Sequence, residues 1–265
     1  MGCSDSDYDF LRQLVFSRSA NLVDPSRNAL FETKLRPVAQ LAGAANLEDF
    51  VSILRVDRAP QLRSAVAEAM TRSVREAPQF SISRDVDMTA ANARRRDAGV
   101  SYTDVIVAAA ATALRAHPRL RSRFDGDALV VSAKIDVGLA VALEAGLIVP
   151  VLRDADQKPL EALREEREAL ETAVRSGRAR ADAFGGAAIT ISNLGTFGVD
   201  RFTGIVNPPE AAILAVGRVA ERAVAANGAL VVRPVVSLTL TVDHRVADGA
   251  DAARFLADVA RNLEA

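Results

Sequence analysis

A histidine stands at the point where an alternating segment of the chain stops. His244 is one of two histidines, and it follows residues 237–242, in which hydroxyl and aliphatic side chains alternate. A period of two predicts a half-buried strand. An imidazole, with an ordinary pKa of about 6.5, can move protons near neutral pH and can activate a thiol, whose pKa is about 8.5. The alternative at this stage is a histidine that caps a strand or fills a polar pocket.

The residues around His244 form a specific string, Asp-His-Arg-Val-Ala-Asp-Gly, at 243–249. Two further stretches lie upstream: Ile-Thr-Ile-Ser-Asn-Leu-Gly-Thr-Phe-Gly-Val-Asp at 189–200 and Asn-Pro-Pro-Glu-Ala-Ala-Ile-Leu-Ala-Val-Gly at 207–217. Together they resemble the catalytic core of the acyltransferase component of 2-oxo acid dehydrogenase complexes, which is also similar to chloramphenicol acetyltransferase. The resemblance covers residues 60–265.

This resemblance implies catalytic functions for particular residues. His244 matches the family's catalytic histidine and would take the proton of the attacking thiol and return it to the leaving thiolate. Ser192 matches the residue that donates a hydrogen bond to the oxyanion of the tetrahedral intermediate, and Asn193 is the alternative donor. Asp248 stands where the family has Asp or Asn, and we expect it to orient the loop or the histidine. The structural residues expected next to this site are Arg245 and Gly249.

The implied reaction is acyl transfer between dihydrolipoamide and coenzyme A, both as substrates. The lipoyl group would arrive on another chain or as free dihydrolipoamide, because none of the lysines, Lys34, Lys134 and Lys158, stands in an Asp-Lys-Ala turn. The resemblance also implies a homotrimer with active sites between subunits, so Ser192 and His244 would come from neighbouring chains. The family's hydrophobic C-terminal tail is missing, which leaves assembly beyond the trimer open. No metal is expected.

A second hypothesis is a non-catalytic trimeric scaffold of a 2-oxo acid dehydrogenase-type complex, with the N-terminal helices as a docking module. The absence of the lipoyl and subunit-binding domains that usually precede the core favours this hypothesis. The complete Asp-His-Arg-x-x-Asp-Gly string argues against it, because a scaffold has no chemical need for an imidazole.

The composition is typical of a soluble globular protein, with 49% hydrophobic and 25% charged residues. A net charge of −1 gives no electrostatic basis for binding nucleic acid or an anionic membrane. Cys3 is the only cysteine, which excludes an intrachain disulfide and favours a reducing compartment. No apolar run approaches the roughly 20 residues of a transmembrane helix. We therefore expect a cytoplasmic protein that binds neither nucleic acid nor membrane.

Residues 1–58 are expected to form a small helical domain before an acyltransferase domain at 59–265. Asn46 could cap a helix that contains Phe50. This N-terminal segment resembles the helical domain of chemotaxis receptor glutamate methyltransferases. The sequence holds no Gly-x-Gly-x-x-Gly loop, so a methyltransferase reaction has no active site in it. The stretches on which this resemblance depends are residues 9–19, 35–39 and 47–51.

The order of the predicted elements favours an α+β fold. We expect a chloramphenicol acetyltransferase-like sandwich of a mixed sheet with helices, preceded by a small all-α segment. The expected helices are residues 102–116, 159–177 and 250–263. The expected strands are residues 79–86, a hairpin about Gly126, and residues 137–143, 147–152, 187–192, 211–216 and 237–242.

Overall fold

The computed structural model describes most of the chain from residue 44 onwards and a few residues before it. The described residues are 4–5, 7–9, 11–12, 34–37, 39, 44–56, 58–143, 146–226 and 228–265, without the side chains of 52–62. Except for residue 4, the described residues before 40 are helical. The predicted cap is confirmed, because the Asp49 amide donates to Asn46 Oδ1 at 2.8 Å. The other helical positions predicted in this segment lie largely outside the described residues.

From residue 47 onwards the described chain forms six α-helices and eleven strands, which are joined by loops and short 3-10 helices. The helices are α1 (Leu47–Val56), α2 (Arg58–Glu76), α3 (Thr89–Ala98), α4 (Tyr102–Leu114), α5 (Leu160–Arg175) and α6 (Gly249–Glu264). The strands are β1 (Gln79–Asp87), β2 (Ser122–Asp125), β3 (Ala128–Val131), β4 (Val137–Leu139), β5 (Val141–Leu143), β6 (Gly146–Ile148), β7 (Val151–Leu152), β8 (Ile189–Asn193), β9 (Ala212–Val216), β10 (Ala220–Ala226) and β11 (Ala229–Asp243).

Seven strands form one mixed sheet. Their order is β1-β11-β9-β8-β4-β7, with β10 paired to the first part of β11. The β8 strand is parallel to both β9 and β4, and the other pairs are antiparallel. Strands β2–β3 and β5–β6 form two separate hairpins. The α+β fold and the mixed sheet are confirmed.

One face of the sheet packs against helices through a single apolar core. Leu238, Leu240 and Val242 of β11 are fully buried there, together with Phe255 of α6 and Ile106 of α4. Helix α4 is rich in alanine and valine and is buried along most of its length, as its composition predicts. Burying a large apolar side chain stabilises a fold by about 1.5–3 kcal/mol. This core holds β11, and therefore the turn after it, in place.

The opposite face of β11 carries hydroxyl groups, and it is also buried, although the β1 serines beside it, Ser81 and Ser83, are exposed. Thr239 and Thr241 are 2% and 4% exposed, so the prediction of a half-buried β11 is wrong. Their hydroxyls pair with Ser83 and Ser81 of β1, at 2.8 Å in each case. Alternation along β11 therefore separates an apolar face from a hydroxyl face. The hydroxyl face can be buried because hydrogen bonds between the strands satisfy its oxygens.

Two further predictions need correction. The strands expected at 137–143 and 147–152 are each split, so that β4 and β7 join the main sheet while β5 and β6 form a hairpin. Pro150 lies at the second break and has no amide hydrogen for a ladder. The β10–β11 hairpin at 220–236 was not predicted, although Asn-Gly at 227–228 is a strong hairpin signal.

Candidate active site

His244 lies in the turn that follows β11 and is exposed. Its backbone amide donates to the Pro78 carbonyl oxygen at 2.8 Å. Its ring packs on Phe80 of β1, with the ring centroids 4.7 Å apart and the planes tilted by 51°. The imidazole is therefore accessible, while the His244 backbone is held by Pro78, just before β1, and its ring by Phe80 of β1.

The residues on either side of His244 hold each other. Asp243 is 3% exposed, and its carboxylate accepts from the Arg245 amide at 3.0 Å and from Arg245 Nη2 at 2.7 Å. The Arg245 guanidinium carbon also lies 4.8 Å from the ring centroid of Phe124. This ion pair spans His244 and fixes the local backbone.

Asp248 begins α6 as its N-cap. Its Oδ1 accepts from the amides of Ala250 and Asp251, both at 2.9 Å. Such a cap satisfies backbone donors that have no partner inside the helix. Gly249 is the first helical residue, and its φ is not among the positive values of the described glycines, so a left-handed turn is not the reason for this glycine.

Ser192 and Asn193 lie at the carboxyl end of β8 and are half-buried. Asn193 Nδ2 donates to Thr103 Oγ1 at 3.1 Å, and its Oδ1 accepts from the Gly195 amide at 2.8 Å. Both polar ends of Asn193 are thus engaged in holding the loop. The Ser192 hydroxyl takes part in none of the hydrogen bonds found among the described residues, so it is the better candidate donor for a substrate.

The structure does not bring Ser192 and His244 together within one chain. In the sheet register, Ser192 of β8 lies opposite Ala215 of β9, and Ala215 lies opposite Thr239 of β11. His244 follows five residues after Thr239, which places it about 16 Å further along the strand direction. Two strand spacings, about 10 Å in all, separate them across the sheet. No choice of side-chain rotamers closes such a gap to hydrogen-bond distance.

A cavity lies next to each of the two positions. One of about 690 Å³ opens beside Asp243 and Arg245, and Glu210 also lines it. One of about 360 Å³ opens beside Asn193, with Phe197 at its edge. Phe197 is 71% exposed. Each half of the candidate site therefore has space for part of a substrate.

The other histidine is structural. His117 Nε2 lies 2.7 Å from Asp258 Oδ2, and its ring meets Phe255 edge-on at 5.5 Å. The His117 amide also donates to the Leu114 carbonyl at 3.2 Å. Hydrogen bonding by His117 holds the pKa of Asp258 below its ordinary value. His117 thus ties α6 to the end of α4.

The described residues contain no group of three or more His, Cys, Asp or Glu side chains that could hold a metal ion. None of their helices is both long enough and apolar enough to cross a membrane.

Residues 55–265 match the family model for the 2-oxoacid dehydrogenases acyltransferase catalytic domain. The chain belongs to this acyltransferase family. A similar protein is the dihydrolipoyllysine-residue acetyltransferase component of the pyruvate dehydrogenase complex of Zymomonas mobilis, 36% identical over 74% of this chain and 46% of that protein. Another is the lipoamide acyltransferase component of the branched-chain alpha-keto acid dehydrogenase complex of Pseudomonas aeruginosa, 36% identical over 77% of this chain and 50% of that protein. The chain spans about half the length of these acyltransferases.

Solved structures of the acyltransferase family share the fold. Dihydrolipoamide acetyltransferase of Azotobacter vinelandii has a TM-score of 0.74 and 33% identity, over 77% of this chain and 88% of that one. A probable dihydrolipoamide acetyltransferase of Listeria monocytogenes has a TM-score of 0.73 and 32% identity, over 77% and 91%. The predicted family is confirmed. Nothing in these comparisons supports the resemblance of the N-terminal segment to chemotaxis methyltransferases.

Sequence reasoning missed three residues of this region. Phe80 and Phe124 contact His244 and Arg245 with their rings, and Glu210 is a buried acid beside them. The alternation in β1 indicated an inward position for Phe80. The contact between Phe124 and Arg245 joins residues far apart in the chain, and no local pattern could predict it.

Proposed function

We propose that the chain transfers acyl groups between dihydrolipoamide and coenzyme A, with His244 as general base and Ser192 as oxyanion donor. One spacing supports this proposal above all. The catalytic mechanism of the Azotobacter vinelandii enzyme has been studied through a serine, a histidine 52 positions later and an asparagine four positions after that. Ser192, His244 and Asp248 stand at the same separations of 52 and four positions.

The proposed reaction needs one proton transfer in each direction. His244 takes the proton of the attacking thiol as its sulfur adds to the thioester carbonyl. The imidazolium then returns the proton to the leaving thiolate as the tetrahedral intermediate collapses. The Ser192 hydroxyl donates to the negative oxygen of that intermediate, and losing one such donor typically costs about 10²–10³ in rate.

Each active site is proposed to lie between two chains of a homotrimer. The support is the separation of Ser192 and His244 within one sheet, which leaves a neighbouring chain as the source of the second residue. The Ser192 end of one copy would meet the His244 end of the next. Such a contact joins two different surfaces, and it closes into a ring when the rotation between copies fits.

The partners follow from the substrates. The lipoyl group would be supplied by another chain or as free dihydrolipoamide, and coenzyme A would be the second substrate. The cubic core of a pyruvate dehydrogenase multienzyme complex shares this fold, with a TM-score of 0.74 and 34% identity, which supports assembly with other components of such a complex. We also propose a cytoplasmic location and a domain boundary near residue 58.

Asp248 is proposed to orient the loop that follows His244. It caps α6 with its carboxylate, and asparagine, named at this spacing in the Azotobacter vinelandii enzyme, can cap a helix in the same way. The cap fixes where the turn ends and the helix begins. Asp248 would therefore act through the backbone and not by taking a proton.

The test is an assay of acyl transfer from several acyl-coenzyme A donors to free dihydrolipoamide. We expect His244→Ala to lower the rate by about 10²–10⁴-fold. His117→Ala is the matched control, because it removes the other histidine from a structural position. If His244→Ala keeps full activity, the assignment of the base is wrong. A folded trimer that transfers none of the acyl groups would favour the non-catalytic scaffold.

A further inference from the structure

Three consecutive residues at the start of β1 surround the His244 turn. The Pro78 carbonyl accepts from the His244 amide at 2.8 Å, and the Phe80 ring packs on the imidazole with the centroids 4.7 Å apart. Gln79 lies between these two residues and opposite Asp243 in the strand register. The position of the histidine therefore depends on what holds this tripeptide in place.

The Gln79 side chain is the centre of a buried hydrogen-bond network. Its Nε2 donates to Ser73 Oγ at 2.9 Å and to the Ser73 carbonyl at 3.2 Å, and its Oε1 accepts from the Val206 amide at 3.1 Å. Ser73 Oγ donates to the Val206 carbonyl at 2.6 Å. Ser73 and Val206 are each 2% exposed. Both ends of the Gln79 amide are thus engaged, and a fully satisfied buried network is rigid.

This network joins the two segments that hold the backbone of the His244 turn. One segment is the residue before Gln79, whose carbonyl binds the His244 amide. The other begins at Val206 and reaches Ala211, whose carbonyl accepts from the Asp243 amide at 2.8 Å. Gln79 ties both segments to the last turn of α2 through hydrogen bonds. The amides of Asp243 and His244 are therefore held by two segments that meet at Gln79.

We infer that Gln79 is a positioning residue for the general base, which it holds in place through Pro78, Phe80 and the 206–211 segment without contacting the substrate. The inference rests on the proposed function, because it concerns the base of that reaction. A displacement of about 1 Å can lower a rate about 10²-fold. A side chain that only supports the His244 turn can therefore control kcat.

The variant Gln79→Met tests this inference, because methionine fills a similar space without replacing the amide's hydrogen bonds. We expect kcat with acetyl- or isobutyryl-coenzyme A and dihydrolipoamide to fall by about 10–100-fold, while KM stays within about twofold of the wild-type value. Gln157→Met is the matched control. Gln157 is exposed and donates to Asp156, outside this network, so its variant should keep the wild-type kcat.

NMR of the imidazoles adds a readout that a purely structural residue would not move. The chain has two histidines, so histidine-selective labelling gives one Hε1 signal for His244 and one for His117. In Gln79→Met the His244 signal should shift, because its ring moves relative to the Phe80 ring. The His117 signal should stay in place, because that ring is held by Asp258 and Phe255.

A wild-type kcat or an unmoved His244 signal in Gln79→Met would overturn the inference. If that variant does not fold, Ser73→Ala decides, because it removes two of the four hydrogen bonds of the network. We expect Ser73→Ala to lower kcat by about 3–10-fold and to shift the same signal, and wild-type values of both would equally reject the inference. Full activity in His244→Ala would instead reject the proposed function, so the two failures can be distinguished.

Discussion

Mixing two inactive variants tests whether the active site is shared between chains. Ser192→Ala keeps the histidine, and His244→Ala keeps the serine, so each variant alone lacks one half of every site. If both halves came from one chain, mixing would restore nothing. If they come from neighbouring chains, a Ser192→Ala chain beside a His244→Ala chain forms one complete site.

The expected recovery follows from the geometry. In a cyclic trimer assembled at random from equal amounts of both variants, each site is formed at one contact between two chains. A contact is complete when the histidine comes from a Ser192→Ala chain and the serine from a His244→Ala chain, which gives about 25% of the wild-type sites. A site within one chain is excluded by the separation of about 16 Å along the strand direction.

The assay compares co-refolded or co-expressed variants that carry two different affinity tags. Hetero-oligomers are isolated through both tags, and acyl transfer is measured beside each variant refolded alone. Each isolated mixed trimer has one complete site at its three contacts, so activity near a third of the wild type in this fraction supports the shared site, against about a quarter in the unfractionated mixture. Mixed oligomers no more active than the two parents would refute the argument from sheet register.

Three further predictions concern stability. Asp248→Ala should lower the free energy of unfolding by about 1 kcal/mol in urea titrations, because α6 loses its cap, whereas Asp248→Asn should keep it; equal losses would contradict this. Arg167→Met removes the guanidinium that lies 2.7 Å from the Asp104 carboxylate, and Asp104 is only 1% exposed. We therefore expect the free energy of unfolding to fall by about 3–5 kcal/mol. An unchanged denaturation midpoint would contradict this prediction. Folding raises the pKa of Glu210 from 4.5 to about 7, so between these pH values the folded state holds a proton that the unfolded state has lost. The free energy of unfolding of the wild type should therefore fall by up to about 3 kcal/mol as the pH rises from 4.5 to about 7. In thermal melts at pH 5 and 8.5, Glu210→Gln should lack this fall, and an equal fall in both proteins would contradict it.

Local patterns predicted the elements that depend on neighbouring residues. The helices expected at 102–116 and 159–177 are present as α4 (Tyr102–Leu114) and α5 (Leu160–Arg175). The period of two in β11 correctly separated two faces. It could not show that both are buried, because the partners of Thr239 and Thr241 are serines of β1, more than 150 residues away in the chain.

The relation between Ser192 and His244 depends on long-range register. The resemblance to a family implied that they come from different chains. The physical argument for this, their separation within one sheet, appears only when β8, β9 and β11 are aligned. Glu210 was inconspicuous for a similar reason. In the sequence it is one acidic residue after two prolines, and only folding buries it beside Asp243 and Arg245.

The paired hydroxyls of β1 and β11 make the sheet intolerant of misalignment. A slip of one residue would turn Phe80 and Ile82 towards the hydroxyl face and leave Thr239 and Thr241 buried without partners. β1 is an edge strand, where incorrect pairing would otherwise be least costly. The same alignment sets Pro78 opposite the His244 amide, so an error in pairing would also displace the histidine. Accurate assembly of this edge and placement of the catalytic candidate thus depend on the same few hydrogen bonds.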